Sequence, residues 1–269
     1  MTELNRGPHP VSFPSADGKT VLIGYLWVPK AEGPSPAVVM LHGRAGAYSS
    51  AADGYFTAKT LSRRHRMWGR FWADRGYVAL MVDSFGPRGY PAGFPAGSYP
   101  KRPARVSEKT VRPLDAYGAL GWLRVSHLVR PDAIGLQGWS NGAMAALWAM
   151  SWEMPERFRL KRKEAFRAAL VLYPGCGGIA EERPDYQPYN PLLMLLAGKD
   201  EEVDPVQCEK FAQNVGAASE PNQFFHHTYR LAQHSYDHPD KTDPANAAAR
   251  ADTLLRAAEF FDFYVNNAD

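Results

Sequence analysis

Cysteine is scarce in this sequence: only Cys176 and Cys208 occur in 269 residues. Two are too few for a disulfide framework, and taken alone they favour a reducing compartment or say nothing. Long apolar runs are missing as well. No stretch approaches the roughly 18 apolar residues that read as a membrane span. The opening MTELNRGPHPVSF has no apolar signal core, so the chain as given reads as cytoplasmic, with no membrane partner expected. An excess of one charge is also absent. The net charge of +3 gives no footprint for nucleic acid, and no stacking motif accompanies the basic runs Arg63-Arg64-His65-Arg66 and Lys161-Arg162-Lys163. Both runs are expected on solvated surface. No repeat, heptad or low-complexity tract appears, which leaves a globular chain with an ordinary 45% apolar and 22% charged residues.

What is present is alternation. Val21–Val28, Ala37–Leu41, Tyr77–Val82, Ala133–Gln137, Phe166–Tyr173, Leu192–Leu196 and Phe224–Leu231 read as strands, several of them short continuous apolar runs. Helical spacing marks Met67–Arg75, Val111–Val125, Asn141–Trp152, Pro205–Val215 and Ala245–Val265. Strands alternating with helices predict an α/β fold, a mostly parallel central sheet with helices on both faces. The whole chain, 1–269, reads as one domain with its core over about 20–265. Residues 84–109 are rich in Gly and Pro and form a long loop. Phe85, Tyr90, Phe94 and Tyr99 in it either wall a pocket or pack along the loop. In open parallel sheets functional groups gather at the carboxyl ends of strands.

The stretch AIGLQGWSNGAMAAL (133–147) puts Gly138-Trp139-Ser140-Asn141-Gly142 where a strand gives way to a small-residue helix. That is the setting of a nucleophile elbow, a strained turn that projects a serine hydroxyl above the sheet. A serine nucleophile needs a base, and the base needs an orienting acid. Asp200 is the first acid after the strand Leu192–Leu196; Glu201, Glu202 and Asp204 are its rivals a few residues on, with surface charge as their other reading. His234 is the first histidine after the strand Phe224–Leu231. The backbone N–H groups of Asn141 and Arg44 are the expected oxyanion donors. His42, at the exit of Ala37–Leu41, is expected to bond locally. Trp139 is expected beneath the elbow, with substrate contact as its other reading. A zinc site from His234, His238 and Asp237 or His227 lacks a specified third ligand, so no metal and no cofactor are expected.

The blocks LHGRAG (41–46), RGYVALMVDSFGPRG (75–89), GWSNGA (138–143), LVLYPGCGG (170–178), LLAGKDEEVDP (195–205) and AQHSYDHP (232–239) resemble the dienelactone hydrolase family of the α/β-hydrolase fold. The resemblance implies Ser140 as nucleophile, Asp200 as acid and His234 as base. The dienelactone hydrolases proper use a cysteine nucleophile and a glutamate near the first loop. This chain has Ser140 and His42-Gly43 there, so it looks like a serine-type relative. The resemblance also implies Arg88 as a contact for an anionic substrate group. Relatives that look exported make a Cys176–Cys208 bridge an expectation, and with it a periplasmic or secreted location as the alternative compartment. The expected activity is hydrolysis of a small-molecule ester or lactone through an acyl-enzyme. The alternatives are a serine peptidase or amidase of the same fold, or a binding module with an idle triad. Oligomeric state is not legible.

Overall fold

Short apolar runs bounded by Gly and Pro become the strands of one eight-stranded sheet in the computed structural model, which describes residues 7–221 and 223–267. The polar start at residues 1–6 lies outside the described residues. The strands are β1 His9–Pro14, β2 Val21–Trp27, β3 Ser35–Leu41, β4 Val78–Asp83, β5 Val129–Trp139, β6 Ala169–Leu172, β7 Leu192–Ala197 and β8 Phe224–Tyr229. Their order is β1-β2-β4-β3-β5-β6-β7-β8. β1 pairs antiparallel with β2, and β2 with β4; from β4 to β8 every pairing is parallel. β1 has no counterpart in the sequence reading. It holds three buried or half-buried alternate positions, and two of the three positions on its exposed face are the prolines Pro10 and Pro14, so it lacks a strong strand pattern.

Helices cover both faces. They are α1 Arg63–Asp74, α2 Arg112–Arg124, α3 Asn141–Ala149, α4 Met154–Arg157, α5 Gly177–Glu182, α6 Pro205–Ala218 and α7 Pro244–Phe261. Alternation along β3 divides the core. Val39 and Leu41 pack with α2, α3 and α6, while Val38 and Met40 pack with α1 and α7. α1 starts four residues before its expected position because Ser62 caps it, its Oγ accepting from the His65 N–H. The basic run therefore forms the first turn of a packed helix. His65 is buried and Arg64 is half-buried, which corrects the expectation of a solvated surface run. Asp204 and Asp243 cap α6 and α7, each followed by proline in the first turn.

A disulfide joins Cys176, at the start of α5, to Cys208 in the first turns of α6, with 5.1 Å between the Cα atoms. It links the loops that follow β6 and β7, on the side of the sheet where the strand ends converge.

Candidate active site

Ser140 occupies the turn between β5 and α3 with φ 50° and ψ −116°, a conformation costly for any side chain but glycine. The flanking glycines are steric necessities. A Cβ on Gly138 would collide with the carbonyl of Gly142, and one on Gly142 with the carbonyl of Leu41. The β3 exit loop is equally close: a Cβ on Gly43 would lie 3.5 Å from that of Ser140. The residues that follow Gly43 therefore border the serine, together with the first turn of α3.

The three side chains come together. His234 Nε2 lies 3.1 Å from Ser140 Oγ, and its Nδ1 lies 2.8 and 3.0 Å from the two oxygens of Asp200. A carboxylate only accepts, so Nδ1 carries the proton and Nε2 faces the hydroxyl as an acceptor. Asp200 is aimed by the N–H groups of Glu202 and Val203, which both donate to its Oδ1. The acid and base side chains are almost wholly buried, at 1% and 3% exposure. Such burial keeps water from competing for the bond between them.

Neither Glu201 nor Glu202 takes the place of Asp200 on Nδ1, and both do more than carry surface charge. Glu201 accepts from the backbone N–H of His234 at 3.0 Å. Glu202 takes a bidentate pair from the Arg44 guanidinium, both bonds 2.7 Å, and its Oε2 lies 3.8 Å from His234 Nε2. Burial pushes the Glu202 carboxyl up, but the bonds from Arg44 and the nearby imidazole outweigh it and leave its pKa below the usual range. Asp204 is the α6 cap.

Two further clusters hold the site, and neither was read from the sequence. Arg112, fully buried, donates to Asn141 Oδ1 at 2.5 Å and to the carbonyl of His42 at 2.7 Å. It thus ties together the two loops expected to supply the oxyanion donors. Burial lowers its pKa to about 10, which leaves it charged at neutral pH. Asn141 Nδ2 donates in turn to Glu108, whose other oxygen accepts from the Tyr99 hydroxyl. On the far side, buried Asp237 accepts from the indole N–H groups of Trp68 and Trp139, both at 2.8 Å, and from Tyr173. Tyr173 packs edge-on against the His234 ring, with 4.8 Å between ring centres.

Several expected contacts fall elsewhere. Arg88 is sequestered: it pairs bidentately with Asp115 and also bonds Asp17, leaving its side chain 5% exposed. Two carboxylates already neutralise it, so the role of anion contact implied by the resemblance is corrected to a structural one. Trp139 is buried beneath the turn at Ser140 on Asp237, and does not line the cavity above that serine. Of the loop aromatics only Tyr99 lines the cavity; Phe85, Tyr90 and Phe94 pack on one another, and Phe85 on His42. His42 bonds the carbonyl of Gly43 and accepts from the Ser84 N–H. Burial, with Arg112 adding to it, holds its pKa far below normal, so it stays neutral. Asp237, offered as a zinc ligand, is spent on the indole and phenol donors.

The cavity above Ser140 has a volume of about 530 Å³ and is bordered by Arg44, Tyr99, Arg102, Met144, Glu202 and the disulfide-bonded Cys176, among others. Its walls mix charge with small apolar surface.

The family model of the dienelactone hydrolase family matches residues 22–265. Among solved structures, a Klebsiella pneumoniae chain described as a dienelactone hydrolase aligns with a TM-score of 0.73 at 19% identity, over 95% of this chain and 98% of that one. Thermogutta terrifontis esterase 2, phosphonylated by cyclosarin, aligns with a TM-score of 0.64 at 20% identity, over 94% and 92% of the two chains. A puromycin-hydrolyzing peptidase of Mycobacterium tuberculosis aligns with a TM-score of 0.67 at 17% identity, over 96% of this chain but 39% of the peptidase. At these identities the likeness to solved structures is one of fold.

Proposed function

Because the chain belongs to the dienelactone hydrolase family, we propose that it is a serine hydrolase that cleaves carboxylic esters or lactones through an acyl-enzyme on Ser140. The observation that carries this reading is the hydrogen-bonded line from Asp200 through His234 to Ser140. His234 Nε2 takes the hydroxyl proton as Oγ attacks the substrate carbonyl. Asp200 holds the imidazole tautomer and stabilises the imidazolium. The backbone N–H groups of Asn141 and Arg44 receive the oxyanion, each donor of this kind lowering the barrier by roughly 3 kcal/mol. Nε2 then protonates the leaving alkoxide, and water hydrolyses the acyl-enzyme by the same proton route in reverse.

A cavity of about 530 Å³ is within the range that holds a small-molecule ester. Ser140→Ala is expected to abolish turnover of a p-nitrophenyl ester while the far-UV circular dichroism stays unchanged. Near-wild-type turnover by that variant would remove the assignment. Matched ester and anilide substrates separate esterase from amidase action, and the ester is expected to be the faster.

A further inference from the structure

The imidazole of His234 meets a carboxylate at each nitrogen. Asp200 bonds Nδ1, and Glu202 Oε2 stands 3.8 Å from Nε2. The first contact is a hydrogen bond and the second cannot be one. With the proton on Nδ1, Nε2 is an acceptor, and an ionised carboxylate is also an acceptor. Two acceptors at that separation call for a shared donor with two protons. In the free enzyme Nε2 is served by the Ser140 hydroxyl. Once Oγ is acylated that donor is gone. A water 2.8 Å from both atoms would see them at about 85°, close to its own H–O–H angle.

Resting on the acyl-enzyme reading above, we propose that Glu202 orients the hydrolytic water of deacylation. One O–H of the water points at His234 Nε2 and the other at Glu202 Oε2, which turns an oxygen lone pair toward the acyl carbon. Attack forms the bond from water oxygen to carbon as the first proton passes to Nε2. Collapse of the intermediate breaks the bond from carbon to Ser140 Oγ, and Nε2 returns its proton to Oγ. The second water proton leaves on the carboxylic acid product. Arg44 has a defined part: its bidentate pair fixes the Glu202 carboxylate in this place. Arg44 is itself anchored to the long loop through the carbonyl of Phe94.

The test is pre-steady-state hydrolysis of p-nitrophenyl acetate by the wild type, Glu202→Ala and Glu202→Gln. In Glu202→Ala the acylation burst is expected to persist, while deacylation slows by roughly ten- to a hundredfold, the loss typical of a misplaced reactant. An acetyl adduct should then accumulate on Ser140 by mass spectrometry. Glu202→Gln keeps one acceptor oxygen and should fall between. Hydroxylamine, a stronger nucleophile that needs less orienting, should restore turnover of Glu202→Ala. Unchanged deacylation, or an equal loss in both steps without hydroxylamine rescue, would overturn the proposal. Arg44→Met, which frees the Glu202 carboxylate, is expected to show a milder deacylation defect that hydroxylamine rescues in the same way. Failure of the underlying reading looks different: the wild type would hydrolyse the ester with no adduct on Ser140 under any condition.

Discussion

Arg112 illustrates how much of this site is held by residues that need never touch a substrate. Its guanidinium is buried, bonded to the Asn141 side chain and the His42 carbonyl, on the two loops proposed to supply the oxyanion donors. Removing it leaves buried acceptors without donors, each costing about 1–3 kcal/mol. It also frees the two loops to shift. Arg112→Met is therefore expected to lower kcat by roughly ten- to a hundredfold with a smaller change in KM. Steady-state kinetics at matched folded fraction checks this, and a change confined to KM would contradict it. Arg112→Lys should rescue little, because an ammonium cannot span both acceptors in the guanidinium geometry. None of this was legible in the chain. Arg112 lies 29 residues from Asn141 and 70 from His42, inside a helix whose pattern reports only its apolar face. That Ser140, Asp200 and His234 would meet was legible because each lies within five residues of a strand's carboxyl end, where chain order and fold geometry coincide. The pairing of Glu202 with Arg44 was not legible, because within a run of acids a paired carboxylate and a solvated one look alike.

At the scale of elements, the site depends on loops pinned from outside. The Cys176–Cys208 bond closes a sequence separation of 32 residues and holds α5 against the first turns of α6, beside the acid loop. By loop entropy, such a link is worth about 3–4 kcal/mol. Cys176→Ser with Cys208→Ser is expected to lower Tm by several degrees and to raise KM, since Cys176 borders the cavity. Differential scanning calorimetry and ester kinetics read the two effects; an unchanged Tm would mean the bond constrains nothing. The elbow is less forgiving. Gly142→Ala drives a methyl into the Leu41 carbonyl, backbone that cannot turn aside, so the variant should lose both activity and stability. The strand interiors announced themselves as apolar runs. The start of α1 did not, because its first turn is basic and its burial comes from distant partners: Arg64 bonds Tyr173 and Ser235, more than a hundred residues on.

Across the whole molecule, packing α1 against the sheet leaves a pH signature. Burial, aided by the neighbouring Arg64 charge, lowers the pKa of His65 to about 3, against an ordinary 6.5. Between those values the unfolded chain binds a proton that the folded chain refuses. Stability is therefore full above pH 6.5 and falls as the pH drops toward 3, by about 2 kcal/mol at pH 5 from this residue. His42 is shifted in the same direction. Tm is expected to fall between pH 7 and pH 5, and less steeply in His65→Gln; equal slopes would assign the acid sensitivity to other groups. The parallel sheet and its two helical layers follow from alternation alone, whereas the antiparallel β1 and the buried polar clusters depend on contacts that only the folded chain creates. The central claim is that Ser140 is an activated nucleophile, and phosphonylation with a fluorophosphonate followed by peptide mass spectrometry tests it most directly. The account predicts rapid, stoichiometric modification at Ser140, much slower in His234→Ala and in Asp200→Ala. An unmodified Ser140, or labelling at a rate indifferent to both substitutions, would contradict it.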